Sequence, residues 1–233
     1  IGLLPSQKKL FDFIKSLNKR IVFLVYGGKP LSLENELSDL GALLFCYGVG
    51  NRGNLAIADI LLGKINPSGR LPFSIARNVG QLPCFYNHYL PKGNYSNPGS
   101  LVKPGQDYIF SSPTPLFPFG FGLSYSTFRY DSLDVISNVG VIEVKVRITN
   151  LGPFDGDHVV LVYGNNLEQE YVCIQSRRLI GFKRIHLKNK ESKVIEFSFT
   201  KDDFYYIGLD MKKTYPNGEI EIEVEQMKKR THL

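Results

Sequence analysis

NPSGRLPFSIARNVGQLPCFYNHY, at residues 66–89, and PTPLFPFGFGLSYSTF, at residues 113–128, bound the stretch that decides the fold of this chain. Glycine, proline and aromatic residues recur through the stretch, whereas apolar residues at helical spacing do not. A flexible linker would be polar and would lack the rings of Phe73, Phe85, Tyr86, Phe117, Phe119 and Phe121. Proline fixes φ, glycine supplies positive φ, and rings fill the gaps between turns. The stretch is therefore predicted to be a packed, turn-rich connection.

The residues before this connection alternate between helical and strand patterns. Residues 7–17 (QKKLFDFIKSL) carry an apolar stripe at helical spacing. Residues 20–26 (RIVFLVY) and 40–47 are continuous apolar runs, as in strands buried on both faces, and residues 55–62 (LAIADILL) return to helical spacing. This order predicts α/β layering with parallel strands in the first quarter of the chain.

From about Phe128 onward the hydrophobic period changes to two. Residues 141–148 (VIEVKVRI), 193–199 (KVIEFSF) and 219–225 (EIEIEVE) place apolar side chains on one face and polar ones on the other. HVVLVY and RLIGFKRI supply two further strand candidates, and NLGPFDGD, LKNKES and YPNGE are predicted to be turns. Short strands with turns at these intervals predict an antiparallel, immunoglobulin-like sandwich of about 100 residues.

Three blocks in this order, NPSG-LP, GQLP-YNH and PLFPFGFGLSY, resemble the C-terminal region of family 3 glycoside hydrolases, the β-glucosidase and β-xylosidase group. The second half is similar to the fibronectin type III-like domain of many of these enzymes, in which GD-VV-Y, LxGFKR, LK-x-x-ES and PxGE recur. The resemblance covers nearly the whole chain. It implies that residues 1–127 are the rear part of an α/β sandwich domain with a mostly parallel sheet. Residues 128–233 are then an all-β fibronectin type III-like domain.

The resemblance also implies where the chemistry lies. Retaining glycoside hydrolysis needs two carboxyl groups about 5–5.5 Å apart, one as nucleophile and one as acid/base. The family takes an Asp from a TIM barrel and a Glu from the α/β domain, and residues 2–7 (GLLPSQ) resemble its LxLPxxQ segment downstream of that Glu. Neither catalytic carboxylate is therefore expected in this chain. The expected partners are the TIM-barrel domain and the front of the α/β domain of the same enzyme. No cofactor is implied, since two carboxylates and water suffice.

Local structure accounts for the carboxylates near the predicted turns. Glu34 and Glu36 follow a GKPL turn, and their i, i+2 spacing does not aim two carboxyl groups at one bond. Acidic residues at a helix start are favoured by the helix dipole. Asp155 and Asp157 lie in a predicted hairpin-like turn of the sandwich, where Asp is common. No catalytic residue is predicted among these four.

Gly48, Gly50 and Gly53 form a GxGxxG pattern after a predicted strand and before a predicted helix. Dinucleotide binding would also need an acidic residue on the ribose about 20 residues further on. After Asp59 no Asp or Glu occurs until Asp107. We interpret the pattern as a tight strand-to-helix turn.

Five residues are candidate contacts for a sugar. The resemblance places the glycine-rich turn near the sugar cleft, which makes Arg52 and Asn54 candidates, although the family carries Glu and Gly there. Tyr86, Asn87 and His88 form the second group, because Asn and His hydrogen-bond to sugar hydroxyls and Tyr stacks on a sugar face. A buried loop cap is the alternative for His88. The implied substrate is an oligo- or aryl-glycoside.

Composition and charge exclude several other classes of protein. The hydrophobic content of 43% with 12% aromatic residues is that of a globular protein. The net charge of +6 is spread along the chain, with one tight basic cluster at residues 228–230, so no nucleic-acid partner is predicted. The 3 cysteines and 4 histidines show neither a disulfide framework nor metal-ligand spacing, so no metal is predicted. No apolar run approaches the roughly 20 residues that span a bilayer.

Ile1 begins inside a globular pattern, so the chain is expected to be a processed product or a fragment. A missing signal peptide then says nothing about compartment, and a secreted, periplasmic or lysosome-like location is preferred to a cytoplasmic one. Two functional hypotheses remain open. The first is the C-terminal portion of a retaining β-glycosidase acting on β-glucosides or β-xylosides, which the segment at residues 2–7 favours. The second is a non-catalytic, diverged relative that binds carbohydrate or serves as a scaffold, which the exchange at Arg52 favours.

Overall fold

The computed structural model describes residues 1–87, 111–138, 140–167 and 177–233. These residues divide into two units that interleave along the chain. The described parts of the two units are residues 1–65, 71–85 and 111–121 for the first, and residues 66–70, 86–87 and 122–233 with the gaps above for the second. The short segment 66–70 therefore belongs with the later half of the chain.

The first unit has the predicted alternation of helix and strand. Its elements in chain order are α1 (Pro5–Ser16), β1 (Val22–Tyr26), β2 (Ala42–Tyr47) and α2 (Gly53–Leu61). Pro5 stands in the first turn of α1, where a missing N–H costs no hydrogen bond, and the Gln7 side chain accepts the Leu4 N–H at 3.0 Å. β1 and β2 pair in parallel, as their apolar runs predict.

The expectation of a mostly parallel sheet is wrong. Among the described residues β1 and β2 are the only parallel pair, and the other sheets are antiparallel. The helix–strand alternation stops after α2. The described residues between there and residue 127 form a 3₁₀ turn (Val79–Gln81) and one isolated bridge, Ile75 to Phe117. The density of Pro and Gly in this stretch removes ladder donors and favours turns, which accounts for the lack of a third parallel strand in its described part.

The turn-rich connection is packed in its described part, as predicted. Leu71 N–H donates to the Phe121 carbonyl at 2.9 Å, and Ile75 N–H donates to the Phe117 carbonyl at 2.8 Å. The rings of Phe117 and Phe121 stack with their centroids 5.0 Å apart. The buried Gln81 side chain donates to three successive carbonyl oxygens, those of Ser112, Pro113 and Thr114. These contacts lie within the first unit.

The second unit is all-β. Its strands are β3 (Phe128–Asn138), β4 (Val141–Asn150), β5 (Gly156–Asn166), β6 (Arg178–Leu187), β7 (Ser192–Thr200), β8 (Tyr206–Ile207), β9 (Lys213–Thr214), β10 (Glu219–Val224) and β11 (Met227–His232). They form a four-stranded sheet in the order β11-β10-β5-β6, a three-stranded sheet in the order β3-β4-β7, and the short pair β8-β9. Each of the five strands predicted for this half from its sequence pattern is present.

One hydrophobic core joins the two larger sheets of this unit. Alternate residues of β4 are fully or almost fully buried: Ile142, Val144, Val146 and Ile148. β5 and β10 contribute in the same way, with Val160, Val162, Ile220 and Ile222. At about 1.5–3 kcal/mol per buried aliphatic side chain, this cluster supplies much of the driving force for folding of the second unit.

Candidate functional site

The carboxyl edge of the parallel pair is the candidate site in the first unit. β1 ends at Tyr26 and β2 ends at Tyr47, and the register between the strands shifts at this end. Each strand runs into a glycine-containing loop, beginning at Gly27 and at Gly48. Ligands of open parallel sheets bind where the strands end at this edge, because the loops there leave the backbone accessible.

Tyr47, the last residue of β2, combines two unfavourable features at this edge. Its φ is +49°, in the left-handed region that costs a residue with a Cβ atom roughly 1–2 kcal/mol. Its hydroxyl oxygen is buried and has no hydrogen-bond partner among the described residues, and burial raises the pKa of the phenol. The ring packs edge-on against Phe73, with centroids 6.1 Å apart. Backbone strain and an unpaired polar atom in one residue mark this strand end as a candidate site.

The conformation of the glycine-rich turn between β2 and α2 requires glycine at two positions. Gly50 has a φ of +65°, in the left-handed region that favours glycine. A Cβ atom on Gly53 would overlap the side chain of Val49, so a larger residue would force the turn open. These observations fit the interpretation of the pattern as a tight strand-to-helix turn.

Arg52 and Asn54 lie together at the start of α2. Arg52 occupies the N-cap position without making a side-chain cap bond, and Asn54 lies in the first helical turn. Both side chains are exposed. Their polar groups therefore face solvent beside the carboxyl edge of the sheet, where they could contact a polar ligand.

Tyr86 and Asn87 belong to the second unit, and both are half-buried. The Tyr86 hydroxyl accepts the Leu179 N–H of β6 at 3.3 Å, and its ring lies 6.3 Å from that of Tyr163. Tyr86 thus covers a backbone donor at the edge of the four-stranded sheet. His88, the fifth candidate, lies outside the described residues.

The carboxylates in the described part of the first unit each lie beside a lysine or an arginine. Glu34 accepts a hydrogen bond from Arg77 at 3.0 Å, and the buried Glu36 lies 3.9 Å from the Lys8 ammonium. The remaining pairs in the described residues are Lys8–Asp12, Lys15–Asp39 and Lys64–Asp59. The arrangement is that of local ion pairs.

Asp155 and Asp157 have structural partners in the second unit. The Asp155 side chain accepts the Asn189 N–H at 2.8 Å, as expected of a turn residue. Asp157 lies on β5 and not in the predicted turn, opposite His186 on β6. Its carboxylate accepts hydrogen bonds from His186 and Arg184, and the bond from His186 is the main cause that lowers its pKa.

The second unit contains a buried polar cluster that no sequence motif predicts. The two ring nitrogens of His158 on β5 contact the Arg70 guanidinium at 3.2 Å and the Tyr130 hydroxyl at 2.8 Å. Arg70 lies 88 positions before His158 in sequence, so no local pattern connects them. Tyr47 was also missed, although an aromatic residue that ends a buried strand before a glycine is a signal that could have singled it out.

Neither a metal-binding cluster nor a membrane-spanning helix is found within the described ranges. No group of three or more His, Cys, Asp and Glu side chains there could hold a metal ion. None of the helices there has the length and apolar character that a membrane crossing requires.

The chain matches two family models. Residues 1–125 match the C-terminal domain of glycosyl hydrolase family 3. The chain belongs to this family. Residues 158–227 match the fibronectin type III-like domain, in agreement with the all-β second unit. Both parts of the resemblance drawn from the sequence motifs are confirmed.

Relatives within family 3 match almost the entire chain. A β-xylosidase from Formosa agariphila is 35% identical over 240 residues, which cover 100% of this chain and 32% of the relative. A periplasmic β-glucosidase from Salmonella typhimurium is 34% identical over 95% of this chain and 29% of its own length. The solved structure of a β-glucosidase from Erythrobacter marinus superimposes with a TM-score of 0.86 at 33% identity, over 100% of this chain and 30% of that one. The chain thus spans about a third of the length of these relatives.

Proposed function

We propose that this chain forms the C-terminal part of a retaining family 3 β-glycosidase that hydrolyses β-glucosides or β-xylosides. The two catalytic carboxyl groups lie outside its 233 residues. The match of the whole chain to about a third of a β-xylosidase is the observation that carries this proposal. The other two thirds of the relative have no counterpart in this chain, and that part is long enough to contain both catalytic groups.

The pairing of carboxylates in the first unit supports the same assignment. Retaining hydrolysis needs two carboxyl groups about 5–5.5 Å apart, one of them protonated at the start of the reaction. Glu34 and Glu36, the acidic residues nearest in sequence to the carboxyl edge of β1, have Arg77 and Lys8 as their neighbours. Neither glutamate is therefore assigned a catalytic role.

The exposed apolar stripe of α1 supports the proposal that the remaining domains of the same enzyme are the partner of this chain. Phe11 packs edge-on against Phe23 of β1, with centroids 6.0 Å apart. Leu10 and Phe13 on the same helix, and Leu17 at its C-cap, stay exposed, Phe13 by 62%. An uncovered apolar stripe of this kind is typical of a surface that another part of the protein covers.

We assign substrate contacts to the two groups of candidate residues. Arg52 and Asn54 present exposed polar side chains at the carboxyl edge of the parallel pair, which supports a role beside the sugar. Tyr86 and Asn87 remain candidates on the chemistry of their side chains. The substrate is an oligo- or aryl-glycoside.

Two further assignments accompany this proposal. A location outside the cytoplasm is supported by the relative from Salmonella typhimurium, which is named as periplasmic. A boundary between the family 3 domain at residues 1–127 and the fibronectin type III-like domain at residues 128–233 is supported by the extents of the two family models. Among the described residues of the first domain, 66–70, 86–87 and 122–127 are then grouped with the second unit.

The isolated chain is expected to show no glycosidase activity, because it lacks both catalytic groups. The measurement is release of 4-nitrophenol from 4-nitrophenyl β-glucoside and 4-nitrophenyl β-xyloside, compared with buffer. The Glu34→Gln and Glu36→Gln variants serve as controls and should give the same background rate. Turnover above background that either substitution abolishes would place a catalytic carboxylate in this chain and refute the assignment.

A further inference from the structure

Asn66, the first residue of segment 66–70, forms hydrogen bonds with other residues of the second unit. The Asn66 side-chain amide donates to the Asp155 carbonyl at 3.1 Å. Its oxygen accepts hydrogen bonds from the Ser124 hydroxyl and the Tyr125 N–H, both at 2.8 Å. A Cβ atom on Gly156 would collide with the Asn66 amide, so the segment lies against bare backbone there. All of these residues belong to the second unit.

Arg70, the last residue of the segment, contacts His158 of β5. Arg70 Nη2 lies 3.2 Å from His158 Nδ1, and the Tyr130 hydroxyl lies 2.8 Å from His158 Nε2. His158 is only 8% exposed, and its ring stacks on the Phe128 ring with centroids 4.5 Å apart. Both ring nitrogens are therefore engaged in a closed, largely dry environment.

These contacts fix the protonation state of His158. A guanidinium can donate hydrogen bonds but cannot accept them, so Nδ1 must accept from Arg70 and carry no proton. A neutral imidazole then has its proton on Nε2, which donates to the Tyr130 oxygen. A second proton on Nδ1 would point an N–H at the N–H groups of Arg70 and set two cations side by side.

The charged surroundings do not favour the imidazolium. The titratable groups that act on this cluster are Arg70, Tyr130, Tyr163 on β5 and Glu225 in the turn between β10 and β11. Burial lowers the pKa of Arg70 and raises that of Tyr130, and the Glu225 carboxylate is a smaller cause that acts on both. The causes acting on His158 are burial and then Arg70. Both causes lower the pKa of His158, from 6.5 to about 4.

We propose that His158 is the acid sensor of a latch that holds residues 66–70 on the sandwich and releases them when its imidazole takes a second proton. The latch consists of Arg70, His158 and Tyr130, and the Asn66 contacts form its far end. It does not depend on the proposed glycosidase function, since all of its groups lie in the second unit.

The direction of the pH dependence follows from the two pKa values of His158. An open state that exposes the imidazole to water restores its ordinary pKa of 6.5, whereas the closed state binds the proton near pH 4, so the open state binds more protons between these values. The latch is therefore at full strength above about pH 6.5 and weakens as the pH falls toward 4. Between pH 7 and pH 4.5 the equilibrium constant for closing should fall by about 60-fold.

The full 233-residue chain serves for the test. Hydrogen exchange of the Tyr125 amide, which donates to Asn66, reports latch opening, once intrinsic exchange rates are divided out at each pH. Its protection should fall by about 60-fold from pH 7 to pH 4.5. In the His158→Gln variant, which keeps an acceptor and a donor but does not titrate, the fall should be less than about 3-fold. The His186→Gln variant removes an exposed histidine on β6 and should behave as the wild type.

The ¹⁵N chemical shifts of the His158 ring decide the question in the wild-type chain, even if the H158Q variant does not fold. A neutral ring with its proton on Nε2, titrating well below pH 6, is the expected result. A proton on Nδ1 at pH 7, a pKa near 6.5, or an H158Q variant with an unchanged acid response would each overturn the proposal.

Discussion

Replacing Asn150 with alanine is expected to lower the free energy of unfolding of the second unit by about 3–5 kcal/mol. Asn150 is 0% exposed at the end of β4. Its amide donates to the Phe154 carbonyl at 2.8 Å and to the Leu187 carbonyl at 3.2 Å, and its oxygen accepts the Gly152 N–H at 3.0 Å. Alanine leaves the Leu187 carbonyl and the Gly152 N–H without these partners, whereas the Phe154 carbonyl keeps its hydrogen bond from the Ser126 hydroxyl. Each group that is left unpaired costs about 1–3 kcal/mol when it stays dry.

Urea denaturation of the full chain, followed by far-ultraviolet circular dichroism, measures this loss. Asn138→Ala is the matched control, because Asn138 is the same residue type at the end of the neighbouring strand β3 and is exposed. The control should change the free energy of unfolding by less than about 0.5 kcal/mol. Equal effects of the two substitutions would show that Asn150 does not organise the turn after β4.

Ile222→Ala in β10 is expected to lower the free energy of unfolding by about 2–5 kcal/mol. Ile222 is 0% exposed and belongs to the core between the two larger sheets. Truncation removes the side chain beyond Cβ from a packed interior and leaves a cavity. The neighbours of β10 on β5 and β11 are fixed by ladders on both sides, so collapse around the cavity is restricted.

Ile136→Ala provides the comparison for this core substitution. Ile136 lies on β3 and is 48% exposed, so the same truncation removes little buried surface. We expect a difference of at least about 2 kcal/mol between the two variants in the same denaturation experiment. A difference below about 0.5 kcal/mol would mean that β10 does not lie in the core.

Strict alternation made the second unit predictable. In β4 and β7 buried residues alternate with exposed or half-buried ones, so a shift of one residue would turn the whole apolar set toward solvent. In β10 apolar residues alternate with glutamates, although Glu221 and Glu223 are buried as well. Because this constraint acts on every residue of the strand, it leaves a clear period in the sequence, and the five predicted strands are present. The two-residue strands β8 and β9 are too short to show a period and were not predicted.

Contacts between distant residues could not be inferred from the sequence. Asn66 meets Asp155 across 89 positions, and Arg70 meets His158 across 88. Neither pair leaves a local pattern, because each residue type is common in loops and strands for unrelated reasons. The assignment of Asp157 to a turn was wrong on the same ground, since its partners on β6 lie about 30 residues away in sequence.

The glycine spacing indicated the tight turn after β2, since such a turn after a buried strand has a sequence signature. The resemblance to family 3 made Arg52 and Asn54 of that turn candidate sugar contacts, and this role stays a prediction. Tyr47 was not predicted because its left-handed backbone is unusual for a residue with a Cβ atom and no propensity anticipates it. The expectation of a mostly parallel sheet was wrong because two apolar runs establish one parallel pair and do not establish how many strands follow.

A chimeric enzyme provides the decisive test of the proposed function. The part of the Formosa agariphila β-xylosidase that matches this chain, about a third of its length, is replaced by residues 1–233. We predict that the folded chimera, verified by a cooperative melting transition, releases 4-nitrophenol from 4-nitrophenyl β-xyloside or 4-nitrophenyl β-glucoside. A chimera that folds but hydrolyses neither substrate, beside an active parent enzyme, would contradict the proposal and favour a non-catalytic relative.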